Sequence, residues 1–302
     1  MLKGESDPGE QREPVFLMTV DIEDWFQVEN FKPWISYDSW GHRELRVEKN
    51  TLELLDLLDG VLGTRRIKGT FFLLGWVAER LPHLVKEIET RGHEVASHGY
   101  RHRMVSTCTD KELLDDLIFS KRLLEDILGK KVAGYRAPSF SIEPRLISAL
   151  KKAGYGYDSS YNSFNGNRRY GTLVGQNPVK KGIIRFRNGI SELPVSNLSL
   201  RGKTIPWGGG GFFRLIPKGV YAHGVKVHMA REGAFLFYLH PWEIDPNQPR
   251  VAEASPGFRF RHYTNLHATG TKLSYLLNQI QGASFLTCSE YLDRAVYQPD
   301  GS

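Results

Sequence analysis

Glu94-Val95-Ala96-Ser97-His98-Gly99-Tyr100-Arg101-His102 is the run whose reading decides the fold. Val95 and Ala96 end a buried strand, Gly99 breaks it, and two imidazoles follow four residues apart. On a helical turn or a tight post-strand loop, this spacing shows both rings to one side, where two neutral nitrogens can meet one metal ion. A bare His-x-x-x-His is more often a pair of loop histidines, so the reading depends on a carboxylate arriving from elsewhere in the chain.

The first apolar run, Val15 to Val20, ends abruptly in Asp21-Ile22-Glu23-Asp24. Three carboxylates within four residues are costly to hold together unless a cation is bound or a proton is shared. An acidic loop or helix cap is the competing account of this segment alone. One acidic strand end and one histidine-rich strand end together favour a metal site.

Working outward, apolar strands and helices alternate along the 302 residues. Strands are expected at Val15 to Val20, Lys68 to Leu74, up to Ala96, Lys131 to Tyr135, Gly156 to Ser159, Ile184 to Phe186, Glu192 to Val195, Ala234 to Leu239 and Ser284 to Thr287. Helices are expected at Val47 to Leu58, Val77 to Thr90, Asp110 to Leu128, Pro144 to Ala153, Pro217 to Arg231 and Lys272 to Ile280. An aromatic-rich loop follows the first strand, residues 162–182 form an excursion or hairpin, and Trp207 to Phe213 reads as a glycine-rich turn. Polar chemistry stands just after strands at Asp21, His98, Arg136, Asp158, Glu192 and His240. A closed (β/α) barrel gathers such ends on one face, whereas an open sheet aligns them less well. The expected fold is therefore α/β, a single-domain distorted (β/α) barrel of seven or eight strands over residues 14–296. Disordered tails are expected at 1–13 and 297–302.

Composition narrows the function classes. Hydrophobic content of 40% and charged content of 25% are ordinary for a globular protein. The net charge of +6 is spread over separate basic pairs such as Arg65-Arg66 and Lys180-Lys181, which argues against nucleic-acid binding. It remains compatible with weak peripheral attraction to anionic headgroups or to an anionic glycan. Cys108 and Cys288 are too far apart for a metal-type spacing and read as free thiols. No apolar stretch resembles a signal-peptide core or approaches the roughly 18 residues of a membrane span, so a cytoplasmic chain is expected. No pattern encodes the oligomeric state.

The ordered set Thr19-Val20-Asp21, Gly69-Thr70-Phe71-Phe72, Gly92 through His102, Arg136-Ala137-Pro138 and Leu239-His240-Pro241 resembles the NodB-homology polysaccharide deacetylases, carbohydrate esterase family 4. Asp21-Ile22-Glu23-Asp24-Trp25-Phe26, Tyr238-Leu239-His240-Pro241-Trp242-Glu243 and Arg261-His262-Tyr263 resemble the branch of that family found with bacterial exopolysaccharide and exosortase (PEP-CTERM) loci, with a branch-specific extension from about residue 250. The resemblance covers residues 15 to 290.

It implies one divalent metal held by two histidines and a carboxylate. His98 and His102 match the metal histidines, and Asp24 or Glu23 the carboxylate, with a lean to Asp24. Asp21 matches the general base, Arg136 the arginine orienting it, and His240 the general acid. The ligand types suit Zn²⁺, while Co²⁺, Ni²⁺ or Mn²⁺ also fit. Pro138 and Ser139 stand where the family supplies a backbone donor to the oxyanion. No Asp-Trp motif supporting the acid histidine is present, and Asp158 or Glu192 is the expected replacement. Trp25, Tyr100, Trp207, Gly209 and Trp242 are candidates for sugar contact. The expected substrate is an N-acetylated glycan or a lipid-linked oligosaccharide. Hydrolysis of a cyclic amide or ureide on the same fold, and a catalytically silent glycan-binding module, are the competing functions.

Overall fold

The computed structural model describes residues 13–296 except 165, 167, 168, 172 and 174–181. Nearly all of both expected tails, and much of the 162–182 excursion, lie outside the described residues.

The strands are β1 (Val15–Ile22), β2 (Gly69–Leu73), β3 (Glu94–Ser97), β4 (Gly134–Tyr135), β5 (Tyr157–Asp158), β6 (Ile184–Arg185), β7 (Ser191–Glu192), β8 (Asn197–Leu200), β9 (Lys203–Pro206), β10 (Ala234–Leu239) and β11 (Ser284–Phe285). The main sheet runs β10-β1-β2-β3-β4-β5-β7-β6, with β11 against the start of β1 and β8-β9 forming a separate hairpin. From β10 to β7 every neighbouring pair is parallel, and only β6 runs antiparallel.

The sheet curls until its ends meet at a seam. There Ser196 N donates to Leu236 O (3.4 Å), Leu236 N donates to Ser196 Oγ (2.8 Å) and Tyr238 N donates to Gly208 O (2.8 Å). These bonds replace a continuous ladder, so the barrel is distorted as expected.

Side-chain alternation along β1 divides the core. Phe16, Met18, Val20 and Ile22 pack outward with the helices. Val15 and Leu17 point the other way, into a lumen shared with Phe72, Ala96, Tyr157, Leu193 and Leu236. The lumen is apolar at its base and turns polar at Thr19 and Asp21, which places the ionisable groups at the carboxyl ends of the strands.

The outer helices are α1 (Val47–Gly60), α2 (Gly75–Arg80), α3 (Pro82–Thr90), α4 (Asp110–Leu128), α5 (Pro144–Ala153), α6 (Gly210–Leu215), α7 (Lys218–Glu232), α8 (Pro256–Tyr263), α9 (Leu266–Gln279) and α10 (Cys288–Val296). A Thr109–Glu112 capping box opens α4 and left-handed Gly129 (φ 67°) ends it, the stop expected from sequence. The single helix expected over Val77 to Thr90 is two, because Pro82 starts a new first turn and Leu81 leaves the helical region (ψ 58°). The glycine-rich turn after Trp207 leads into α6, and α8 carries no strong apolar period by which to find it.

Candidate metal centre and active site

At the mouth of the lumen, Glu23, His98 and His102 each bring a ligand atom within 4.8 Å of the others, and all three are buried. Gly99 (φ 72°) and His102 (φ 49°) bend the chain after β3 through left-handed backbone. For His102 this is an uncommon, strained conformation of the kind concentrated at functional sites. His98 Nδ1 donates to Arg136 O (2.8 Å), which leaves Nε2 as a lone-pair donor. Burial lowers the His98 pKa to about 4, so the ring is neutral, the form that ligates metal.

His102 Nε2 lies 2.7 Å from Glu23 Oε2. Burial pushes the Glu23 carboxyl up, but the charges of His102 and His240 overcome it and hold the group well below the usual range. His102 Nδ1 has no hydrogen-bond partner, and among the described residues Glu23 Oε2 meets no donor beyond the His102 ring. A buried carboxylate converging with two imidazoles fits a divalent cation of the Zn²⁺ class.

Asp24 does not join this cluster. Its Oδ1 accepts from Trp25 N (2.8 Å), and its Oδ2 accepts from Arg46 N (2.7 Å) and Val47 N (2.8 Å), tying it to the start of α1. The structure brings Glu23, and not the favoured Asp24, to the two histidines. Residues 19, 21 and 23 continue the lumen face, whereas residue 24 turns to the opposite side.

Asp21 and Arg136 form the second part of the site. Arg136 is fully buried and donates to Asp21 Oδ1 (2.7 Å), Thr19 Oγ1 (2.8 Å), Ser159 O (2.9 Å) and Ser159 Oγ (2.9 Å). Its guanidinium lies over the Phe72 ring at 4.1 Å. Such a charge persists in a core only when paired and hydrogen-bonded this fully.

His240 follows β10 and faces both carboxylates, its Nε2 lying 3.8 Å from Asp21 Oδ2 and 3.5 Å from Glu23 Oε1. Its Nδ1 donates to Glu243 Oε1 (2.8 Å). Burial lowers the His240 pKa, but Glu23's charge and the Glu243 hydrogen bond raise it further, to about 9. Glu243 Oε2 in turn accepts from Arg214 Nε (2.7 Å). Arg214 also donates to the carbonyls of Arg261 (2.7 Å), His262 (2.9 Å) and Thr264 (2.6 Å) at the end of α8.

Glu243 is therefore the carboxylate that supports His240, and Asp158 and Glu192, expected in that place, lie elsewhere. Those two residues are register partners on β5 and β7 and lie against each other behind Arg136. Burial raises Asp158 to about 6, and burial together with Asp158 raises Glu192 well above the usual range. Asp158 Oδ1 accepts from Ser160 Oγ (2.6 Å), and Ser160 Oγ accepts from Ala137 N (2.8 Å), so the pair braces the loop carrying Pro138 and Ser139. Because folded-state pKa values are raised, the folded chain holds protons that the unfolded chain releases, and stability falls as pH rises from about 4 through the folded values. Glu192→Gln is expected to show a melting-temperature gain over wild type that grows between about pH 5 and 8, read by calorimetry.

The expected sugar contacts divide sharply. Ser139 (φ 57°) lines a cavity of about 130 Å³ beside Asp21, His98 and His240, with Pro138 buried next to it. Trp242 lines the same cavity, yet both its faces are taken, by His240 at 5.0 Å and His262 at 4.1 Å, and its Nε1 donates to Glu23 Oε1 (3.2 Å). It orients a carboxylate rather than offering a sugar platform.

Trp25 is buried and donates to Glu44 O (3.1 Å). Tyr100 reaches Glu79 (2.7 Å) away from the cavity. Trp207 is buried, stacked on Tyr221 at 5.4 Å. At Gly209 (φ 144°) a Cβ would stand 1.9 Å from Tyr238 O, so this glycine makes room for the seam, not for a ligand. These four expectations are corrected: all belong to packing or closure.

Residues 37–157 match the family model described as Polysaccharide deacetylase, and residues 159–293 match one described as a domain of unknown function (DUF3473). The site draws His98, His102 and Arg136 from the first region and His240, Trp242 and Glu243 from the second, while Asp21 and Glu23 precede both. A peptidoglycan-N-acetylglucosamine deacetylase of Bacillus cereus is 31% identical over 105 residues, 35% of this chain and 47% of its own length. The chain spans less than half the length of the first curated relatives it matches. The crystal structure of a Mycobacterium smegmatis protein assigned to the polysaccharide deacetylases superposes with a TM-score of 0.61 at 18% identity, over 97% of this chain and 93% of that one. Puue allantoinase superposes with a TM-score of 0.58 at 13% identity, over 95% and 92%. These two likenesses establish the shared fold.

Proposed function

We propose that this chain, whose residues 37–157 match the polysaccharide deacetylase model, acts as a NodB-homology deacetylase of carbohydrate esterase family 4 and removes N-acetyl groups from the amino sugars of a bacterial polysaccharide or its lipid-linked precursor. The observation that carries this reading is the division of labour between two carboxylates on one lumen face. Glu23 converges with His98 and His102, while Asp21 is held by Arg136 and faces the cavity with its other oxygen.

A divalent cation held by Glu23, His98 and His102 would polarise the acetyl carbonyl and lower the pKa of a water molecule. Asp21 takes a proton from the attacking water through Oδ2, since Arg136 occupies Oδ1. Backbone next to Ser139 faces the place where negative charge develops on the carbonyl oxygen. His240, cationic and steadied by Glu243, gives a proton to the departing amine nitrogen, leaving acetate and a free amino sugar.

The test joins metal analysis of protein purified without chelator to acetate release from N-acetylglucosamine oligomers. One metal per chain with chelator-sensitive acetate release is expected. Metal with turnover only of a cyclic ureide would replace this reading with hydrolysis of a small-molecule C–N bond. Glycan binding with neither metal nor turnover would favour the silent module. Among the described residues no helix is long and apolar enough to cross a membrane.

A further inference from the structure

Each histidine of the cluster has two ring nitrogens, and the one turned away from the cluster needs a partner of its own. For His98 that nitrogen is Nδ1, which donates to Arg136 O at 2.8 Å. His102 has no such bond: its Nδ1 is shut off from solvent and has no hydrogen-bond partner. Among the described residues, the carboxylate oxygen that approaches it is Glu29 Oε2, 4.0 Å away and likewise closed to solvent. That gap is about 1 Å longer than a hydrogen bond.

Glu29 opens a short 3₁₀ turn, Glu29–Phe31, in the aromatic loop after β1. Phe31 anchors the turn, fully buried with its ring 4.6 Å from that of His262. Lys32 then ties the turn to the histidine loop. Its Nζ lies 2.6 Å from Glu29 Oε2 and donates to His102 O (3.0 Å), at the residue whose backbone is left-handed. One ammonium thus grips both the carboxylate and the residue it faces. An ionised carboxylate has about four lone-pair positions, so the pair with Lys32 leaves room for a ring N–H.

The position of the ring proton decides what His102 needs. Its Nε2 lies 2.7 Å from Glu23 Oε2, a contact between two lone pairs unless Nε2 carries the proton. A cation among Glu23, His98 and His102 would take the Nε2 lone pair, and the ring proton then belongs on Nδ1. A buried N–H without an acceptor is costly and would oppose cation binding.

We propose that Glu29 is a positioning residue for His102: it accepts the Nδ1–H after a small rotation of its side chain and so fixes the tautomer that ligates. This role rests on the metal centre of the deacetylase reading and deepens it. The segment after β1 then contributes a second carboxylate to the centre, one that ligates at Glu23 and one that orients at Glu29.

The test uses the full chain, Zn²⁺ as the metal and two readouts that do not depend on turnover. The first is the Zn²⁺ dissociation constant from chelator competition. Glu29→Ala is expected to weaken Zn²⁺ binding about 10- to 100-fold, the effect of removing an outer partner from a metal-bound histidine. Glu29→Gln fills the same space and covers a failure of the alanine variant to fold. Its neutral acceptor should leave Zn²⁺ binding weaker than wild type and tighter than Glu29→Ala. Glu53→Gln, changing an exposed carboxylate on α1, should bind Zn²⁺ as wild type does. The second readout is the NMR spectrum of the zinc-loaded chain with isotope-labelled histidine. The His102 ring should carry its proton on Nδ1, in slow exchange with water in the wild type and in fast exchange in Glu29→Ala, while the His98 Nδ1–H stays protected in both.

Wild-type Zn²⁺ affinity in both Glu29 variants overturns the proposal, even where they melt lower, because Glu29 then only braces its loop. So does a His102 Nδ1–H that stays protected in Glu29→Ala, or a His102 ring protonated on Nε2 in the zinc-loaded wild type. A wild type that binds no Zn²⁺ removes this role together with the metal centre. Acetate release and Zn²⁺ affinity both untouched in the variants leave the deacetylase reading standing and remove the role. Zn²⁺ binding weakened by Glu29→Ala in a chain that releases no acetate keeps the role and removes the reaction.

Discussion

Glu23→Ala is expected to purify with little or no metal and to lose acetate release by more than about a thousandfold, whereas Asp24→Asn keeps the metal. A bound cation supplies several kcal/mol of charge stabilisation in the transition state, and each 1.36 kcal/mol is tenfold in rate. Asp24 instead accepts three backbone N–H groups at the entry to α1. Losing such a cap costs about 1 kcal/mol, so the second variant should melt about 2–4 °C lower while retaining its metal stoichiometry. Elemental analysis of the two proteins side by side decides the point. A metal-free Asp24→Asn and a metal-loaded Glu23→Ala would reverse the assignment.

Glu243→Gln is expected to lower kcat/KM by about 10- to 100-fold and to move the alkaline limb of the pH–rate profile to lower pH. The sign follows from the role. His240 acts in its protonated form, so rate falls as pH rises through its pKa. The Glu243 carboxylate is one of the groups holding that pKa up at about 9. A cation on Glu23 weakens that residue's share and leaves Glu243 as the principal support. The variant also leaves the buried Arg214 charge without its carboxylate, so a lower melting temperature accompanies the change. Instability alone would scale the whole profile without moving its limb. An unmoved limb would return Glu243 to a structural role.

Much of the site was legible because a parallel barrel delivers successive strand ends to one face. Asp21, His98, Arg136 and His240 each stand just beyond an apolar run; Asp21, His98 and His240 line the cavity, and Arg136 lies buried behind Asp21. The choice between Glu23 and Asp24 was legible too, had the strand period been carried past Ile22, since residues 21 and 23 share a face. Glu243 had a signal of its own. The 3₁₀ turn Pro241–Ile244 has three residues per turn, which brings residues i and i+3 over one another.

Trp207 and Gly209 misled because glycines beside an aromatic ring look the same whether they admit a ligand or a neighbouring backbone. Arg214 comes from a segment without a strong period, and only tertiary packing places it on Glu243.

The seam gives the two walls of the cavity different mechanical characters. β1 and β2 are knit by continuous ladders on both sides, and β3, which leads into His98, joins β2 through four register pairs and β4 through one. β10, which leads into His240, has six register pairs with β1 on one edge but, among the described residues, just the Ser196 and Gly208 bonds and an isolated Gly209–Tyr238 bridge on the other. Opening across so few bonds takes less free energy than opening a ladder. The cavity is hinged on one side: the wall carrying Glu23, His98 and His102 is the anvil, and the wall carrying His240 is the one that yields.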